Sequence, residues 1–446
     1  MINRLKRIVI SFVPQRMRPQ LLSCWRKVRG MALIPYMYYV QYRIDANIKN
    51  LQRHPEKKVR VAFLVIDDMV FQMEHVFQLM SRDSKFDVSI VMIPDMLRGG
   101  ENAKYKMEKG FRTFGNKYHN SVMIPIDDKG ECVDIKDQFD LFFVMNPYPG
   151  MTHKYYTFKY LADNAKPVVY ANYAVGEGTK NAANFNSLSD MSYLWRYYLE
   201  RPSENIRVAK YHPLLARFKR LRVVGAAKSD LMASIAHKTS IRRKVILAPH
   251  HSVPGNKTPL SIGNFDIYAD LFLRLPVMFP QIDWVFRPHP LLFWTMKTVG
   301  FWKDGDGEAY MDKMRSHKNV EVQDAGDYYD AFVNSDAIIQ DSGSFLAEYH
   351  IAGHPQCYIL RDKSVEQTQF NSFGRKMLEY TYRAYSEHDI IQFITNVVIQ
   401  GDDTLKESRE KFVAEELKYN YPHASEAIVE DIRKALGIEQ ATEGMK

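Results

Sequence analysis

Three short polar stretches, each directly behind an apolar run, hold the side chains best suited to chemistry. Asp341-Ser342-Gly343-Ser344 follows Ala337–Gln340 and opens a helical pattern. A strand that turns straight into a helix leaves the first-turn N–H groups unpaired. With the positive end of the helix dipole they make an anion site suited to phosphate or pyrophosphate. Ser342 or Ser344 is placed to cap that helix, and Gly343 lets a ligand approach the backbone. Glu348, about one turn on, is placed to meet ribose hydroxyls. An ordinary capped helix carries the same tetrapeptide, so its neighbours decide between the readings.

The second stretch, Arg287-Pro288-His289-Pro290, ends the run Asp283–Phe286. Two prolines stiffen the turn, and Arg287 offers a planar fork for phosphate oxygens. His289 can donate to a phosphate or pass a proton to a leaving group. The third, Ala248-Pro249-His250-His251-Ser252, follows Val245–Ala248. Paired histidines suggest a metal. Adjacent residues rarely turn to one ion, however, and the chain has no HExxH and no carboxylate partner at metal spacing, so phosphate or acceptor contact is expected and no metal. GxGxxG and GxxxxGK[ST] are also absent, which removes the main support for dinucleotide and P-loop readings. Asp304-Gly305-Asp306-Gly307 lies in a Gly-rich loop and reads as a solvated turn.

The elements that position these stretches alternate. Val59–Ile66, Phe86–Ile93, Phe139–Met145 and Pro167–Ala171 are short apolar runs, with helical patterns through Val70, His75, Phe77 and Met80 and over Tyr155–Asn164. A second series begins near Lys244: strands Val245–Ala248, Asp283–Phe286, Ala337–Gln340 and Gln356–Leu360, with helices over Phe265–Phe279, over Tyr328–Asn334 (Asp327 as N-cap), and from Phe345 to a stop at Gly353-His354-Pro355. Continuous apolar strands separated by helices indicate parallel sheets covered on both faces. The fold class is therefore α/β, with two tandem Rossmann-like units. Val223–Ser229 reads as the last element of the first unit, and charged Leu405–Leu436 as one or two surface helices. Residues 57–240 and 241–446 are the expected domains, with a basic segment, 1–56, ahead of them. Ligands of such units bind in the crevice at the strand ends.

Composition agrees. The 446 residues, 46% hydrophobic and 25% charged, suit two or three domains and exclude disorder for most of the length. Three scattered cysteines, Cys24, Cys132 and Cys357, exclude a disulfide scaffold and fit a reducing cytosol. Residues 1–60 hold 14 basic and two acidic side chains, whereas the rest of the chain is slightly acidic. Basic clusters there alternate with apolar stretches too short to cross a bilayer, and they lack a cleavage site of the signal-peptide kind. That pattern suits an anchor on an anionic membrane surface at the inner face of the cell membrane; a basic extension packed on the body is the plainer reading. Nucleic acid is not expected as a partner, because no recognition motif accompanies the charge.

At these residues the chain resembles the CDP-glycerol:poly(glycerophosphate) glycerophosphotransferase family, the teichoic-acid and capsule polymerases. The resemblance covers roughly residues 240–400. It rests on Phe286-Arg287-Pro288-His289-Pro290, Asp327-Tyr328-Tyr329-Asp330 before Ser335-Asp336, and Asp341-Ser342-Gly343-Ser344-Phe345 with Glu348, in that order. It implies a two-Rossmann GT-B fold, a cleft for a CDP-linked donor, a membrane-associated basic N-terminal region and no further cofactor. It also implies that Arg287 and His289 contact the donor phosphates, Ser342–Ser344 cradle the pyrophosphate and Glu348 holds the ribose. Family members carry Trp-His-Gly-Thr after a strand of the first domain, with its His as base. The corresponding place here is Tyr170-Ala171-Asn172-Tyr173-Ala174, without histidine. By position the base falls to Asp67, Asp68 or Glu177; His75 lies inside a helix. The expected activity is transfer of glycerol phosphate, or a related polyol phosphate, from the CDP-linked donor to a hydroxyl of a surface glycan or lipid-linked acceptor, with release of CMP. An inverting sugar transferase of the same fold and a non-catalytic membrane-docked scaffold are the alternatives.

Overall fold

The apolar runs assemble into two parallel sheets. The computed structural model describes residues 18–438 other than 69–70, 98, 177, 181–187, 257–259 and 324–327, so Val70, Glu177 and Asp327 lie outside the described residues. The first sheet comprises β1 (Val59–Val65), β2 (Phe86–Met92), β3 (Val122–Met123), β4 (Leu141–Val144), β5 (Val168–Ala171), β6 (Arg196–Leu199) and β7 (Leu221–Val223), in the order β3-β2-β1-β4-β5-β6-β7. The second comprises β8 (Lys244–Ala248), β9 (Asp283–Phe286), β10 (Val320–Val322), β11 (Ala337–Gln340), β12 (Gln356–Ile359) and β13 (Tyr382–Ala384), in the order β10-β9-β8-β11-β12-β13. Every pairing is parallel. Both sheets follow the doubly wound order, in which the strand sequence reverses direction beside the first strand: between β1 and β4, and between β8 and β11.

Burial explains the strands. Val61–Val65 and all of β4 are shut off from solvent, as a sheet covered on both faces requires. Strand β6 is not foreseen from the sequence because Arg-Tyr-Tyr-Leu is not an apolar run. It is buried nonetheless, with Arg196 Nε bound to Asp431 at 2.6 Å and Tyr198 hydrogen-bonded to the same carboxylate. Strands β3, β7, β10 and β13 are two or three residues long and give no periodic signal. Gly353 closes the Gly343–Ala352 helix in the left-handed region, φ +92°, as the Gly-His-Pro stop signal requires.

Both ends of the described residues pack on the first core. The Arg18–Gln52 helix lays Met37, Val40, Ile44 and Ile48, one helical stripe, into the first core. Arg220 pairs with Asp45 at 2.7 Å, and Arg43 donates to the Asp163 carbonyl at 2.9 Å. This part of the basic segment is thus packed on the body, while Tyr39 and Tyr42 stay exposed on its outer face. The charged C-terminal stretch does form helices, Lys406–Phe412 continuing into a π-helical turn and then Ala424–Ala435. The last of them returns to the first core, burying Ala424, Ile428 and Ile432 there.

A backbone seam also joins the halves. Lys180 N–H donates to the Gln369 carbonyl at 2.7 Å, and Asn371 N–H to the Gly178 carbonyl at 2.9 Å. A Cβ on Gly374 would come within 2.0 Å of the Gly178 carbonyl oxygen, so only glycine permits this approach.

Candidate functional site

Between the two sheets lies a crevice enclosing about 420 Å³, lined by the ends of the strands at both reversal points. From the first half come Ile66 and Asp67 after β1, Met145 and Asn146 after β4, and Tyr173 after β5. From the second come His250 and His251 after β8, Arg287 and His289 after β9, and Ser342 and Ser344 after β11. The three chemistry-bearing loops of the second half therefore converge.

Asp341 is the staple under them. It is buried, its Oδ1 accepts the His250 N–H at 2.6 Å, and its Oδ2 accepts the Asn264 N–H at 2.7 Å. One carboxylate thereby fixes the β8 and β11 ends relative to each other. Burial pushes its pKa up to about 7 against the pull of those N–H donors. Ser342 occupies the N-cap position of the Gly343–Ala352 helix without a side-chain capping bond; its hydroxyl meets Ser344 Oγ at 3.2 Å instead. The side-chain direction of Gly343 is taken by the first half. A Cβ there would stand 2.7 Å from Thr179 Cγ2 of the first half, so its missing side chain admits that neighbour.

The imidazoles of His250, His251 and His289 lie against one another, with ring centroids 4.5, 4.9 and 4.1 Å apart in pairs. One nitrogen from each comes within 4.8 Å of the others, close enough to surround a single ion. The adjacent pair His250-His251 thus turns to one point, contrary to the sequence expectation. Two protonated rings at such separations would repel by about 4 kcal/mol at an effective dielectric of ~20. Burial, then the neighbouring His251, pushes His250 down to about 3, so that ring is uncharged at neutral pH.

Arg287 is buried beside the cluster. Its Nη1 donates to Gln323 Oε1 at 3.1 Å, and its guanidinium carbon stands 5.5 Å from the centroid of the Tyr328 ring. Tyr328 in turn donates to Glu348 Oε2, and burial followed by that carboxylate holds its phenol well above the usual range. Glu348 is fully buried, and Lys228 of the first half binds its Oε1 at 2.9 Å while also donating to the Tyr173 carbonyl at 2.9 Å. Glu348 therefore does not line the crevice as a ribose-binding residue would; its partners Lys228 and Tyr328 do.

Of the acceptor-side candidates, Asp67 faces the crevice, paired with Lys106 at 2.6 Å. Asp68 turns away to Lys109 at 3.4 Å and to Thr113 Oγ1 at 3.2 Å. Glu177 is outside the described residues. In the altered motif, Asn172 is buried, taking a bond from Tyr197 at 2.7 Å and giving one to Glu204 at 3.0 Å, and Tyr173 reaches the crevice 3.4 Å from the Tyr148 hydroxyl. Lys106 and Lys228 were missed by sequence reasoning, and Ser252, though inside the third stretch, was given no role of its own. A lone lysine or serine carries no pattern, and only the tertiary contacts single these out.

No family model and no curated protein sequence matches the chain. Solved structures do. A variant of the wall teichoic acid polymerase TagF soaked with CDPG superposes with a TM-score of 0.58 at 11% identity, over 94% of this chain and 98% of that one. UDP-GlcNAc 2-epimerase from Neisseria meningitidis bound to UDP-GlcNAc gives 0.50 at 14% identity, over 84% of this chain and all of the other. MnaA from S. aureus with UDP gives 0.52 at 13%, over 86% and 98%. The fold is of the GT-B type. TagF standing among these structures is consistent with the family resemblance read from the motifs, and the shared fold spans both sheets rather than residues 240–400 alone.

Proposed function

We propose that the protein transfers glycerol phosphate, or a related polyol phosphate, from a CDP-linked donor to a hydroxyl of a cell-surface glycan or teichoic-acid-like polymer, releasing CMP. The observation that carries this is the convergence of Arg287, the histidine cluster and the N-terminus of the Gly343–Ala352 helix on one wall of a crevice whose other wall presents Asp67. The likeness to TagF soaked with CDPG supports the choice of donor. In the reaction the acceptor oxygen attacks the phosphorus bonded to the polyol, and the bond from that phosphorus to the CMP oxygen breaks, leaving its electron pair on CMP. The acceptor proton passes to a base, for which Asp67 is the crevice-facing carboxylate. Arg287 and the helix N-terminus offset the charge that develops on the leaving phosphate, so catalysis is in-line positioning plus charge stabilisation. Purified protein incubated with CDP-glycerol or CDP-ribitol and glycan acceptors should release CMP. Absence of release with both would remove the donor assignment.

A second reading, a nucleotide-sugar enzyme on the same fold, is supported by the likeness to UDP-GlcNAc 2-epimerase bound to UDP-GlcNAc. Thermal shifts separate the two, because a ligand that binds only the folded state raises its melting point. CDP-glycerol should shift it and UDP-GlcNAc should not. The basic residues of segment 1–56, with Tyr39 and Tyr42 exposed, attach the protein to an anionic membrane surface. Among the described residues no helix is long and apolar enough to cross a membrane.

A further inference from the structure

Ser252 backs one ring of the histidine cluster. It is fully buried, its Oγ accepts the N–H groups of Ile262 at 3.3 Å and Gly263 at 3.2 Å, and it stands 2.8 Å from His250 Nδ1. With two amide protons already directed at its oxygen, the hydroxyl proton points to Nδ1, which also accepts the Ser252 N–H at 3.3 Å. His250 Nδ1 is therefore an acceptor, and the ring proton sits on Nε2. His289 is fixed in the same way by another group: the Leu291 N–H donates to its Nδ1 at 3.1 Å. A backbone amide cannot reverse its polarity, so each ring carries its N–H on the edge turned from its own loop. Both rings line the crevice.

We propose that His250 and His289 act as uncharged Nε2–H donors to a diphosphate, that Ser252 is the positioning residue holding His250 in that state, and that neither ring holds a metal ion or protonates the leaving nucleotide. The identity of the diphosphate rests on the donor reading above; the state of the rings does not. A metal needs the Nε2 lone pair, which the tautomer occupies with a proton. A neutral imidazole that gave up its Nε2 proton would become an imidazolate, and the departing CMP has no need of it, since the second pKa of a phosphate monoester is about 6. The charged and titratable groups around the rings reinforce the uncharged state. His251 lies against both rings, Arg287, Lys228 and Tyr328 share the crevice, Lys106 sits opposite on Asp67, and the Asp341 carboxylate under His250 is engaged by backbone N–H groups. Burial, with His251 next, depresses His250 to about 3 in agreement.

The test uses the full-length protein with ¹⁵N-labelled histidine, whose two-bond ¹H–¹⁵N spectra distinguish Nδ1–H, Nε2–H and doubly protonated rings without any ligand. Signals assigned through His250→Gln and His289→Gln should show the Nε2–H pattern at pH 8, and those of His250 should stay unchanged down to pH 5. A doubly protonated His250 at pH 6, an Nδ1–H pattern at either ring, or a shift of both signals on titration with Co²⁺ would overturn the proposal. Binding of CDP-glycerol is measured by calorimetry at pH 8, where Asp341 is ionised. In Ser252→Ala only the 3.3 Å backbone N–H is left at Nδ1, so the His250 signals at pH 8 should move from the pure Nε2–H pattern toward a mixture of tautomers, and the affinity should fall about tenfold, the loss of one well-placed donor. A Ser252→Ala protein with the pure Nε2–H pattern at His250 would overturn the positioning role. No binding of CDP-glycerol with the Nε2–H pattern intact would overturn the donor reading and leave the ring assignment standing.

Discussion

Replacing Lys228 with Met tests whether the two halves are held by one buried charge pair. Glu348 is fully buried, and its carboxylate meets the Lys228 ammonium at 2.9 Å and the Tyr328 hydroxyl. Lys228 itself is only 13% exposed, so water does little to screen the pair. Removing the lysine leaves a buried carboxylate with one neutral donor, and breaking a buried pair from one side costs about 3–5 kcal/mol. At roughly 2–4 °C per kcal/mol for domains of this size, the melting point should drop by about 10 °C. The double variant Lys228→Met/Glu348→Leu removes both charges and should recover most of the loss, because apolar replacement of a whole buried pair is close to neutral. Differential scanning fluorimetry and urea titration of the two singles and the double give the coupling energy directly. A single variant as stable as the parent, or a double as unstable as the single, would show that the pair does not bear on the structure in this way. The same cycle bears on the ribose role implied by the resemblance, since Glu348 cannot meet a ribose while Lys228 and Tyr328 occupy it.

Four further outcomes are expected. Arg287→Ala should weaken CDP-glycerol binding at least tenfold, and Arg287→Lys should not restore it, because a lysine reproduces neither the planar fork nor the stacking on Tyr328; calorimetry decides. Asp341→Asn should lower stability by about 1–3 kcal/mol, since an amide cannot accept from both the His250 and the Asn264 N–H groups, and denaturant titration measures the loss. His350 is buried and held down to about 3, chiefly by burial, so below pH 6.5 the unfolded chain takes up a proton that the folded one does not, and stability falls as pH drops. A His350→Gln variant lacks that loss, so its deficit against the parent should shrink by about 2 kcal/mol between pH 7.5 and pH 5; a deficit constant with pH would show that His350 titrates normally. Sedimentation with anionic vesicles should retain the protein at low salt and lose it at high salt, and deletion of residues 1–33 should abolish retention while leaving the docked Met37–Ile48 stripe in place.

The strands that carry the site were legible because each is an apolar run bounded by a polar turn. Asp283–Phe286 and Ala337–Gln340 fall where periodicity puts them, and the loops after them hold Arg287, His289, Ser342 and Ser344 at the crevice as expected. Side-chain direction was not legible. Asp67 and Asp68 are neighbours in sequence, yet successive residues at a strand end point to opposite sides, and only Asp67 reaches the crevice. Glu348 matched a ribose-binding position by spacing, but spacing along a helix says nothing of Lys228, which arrives from the other half. Strand β6 was hidden because burial of Arg196 depends on Asp431, more than two hundred residues away.

The closure of the crevice follows from how the chain ties its halves. A donor site built only on the second sheet would be complete with Arg287, the histidines and Asp341, all within residues 248–344. The acceptor carboxylate Asp67 belongs to the other sheet, so in-line attack needs the two β-sheet reversal points held face to face. Three features do that at once: the backbone seam of Gly178 and Lys180 with Gln369 and Asn371, the Lys228–Glu348 pair, and the return of the Ala424–Ala435 helix to the first core. The seam depends on paired glycines at 178 and 374, whose close approach no side chain allows. Gly374→Ala should therefore open the crevice rather than unfold either sheet. The expected signature is weakened turnover with retained CDP-glycerol binding, because the donor wall stays whole while Asp67 moves off line. Loss of donor affinity in step with turnover would refute this division of labour between the halves.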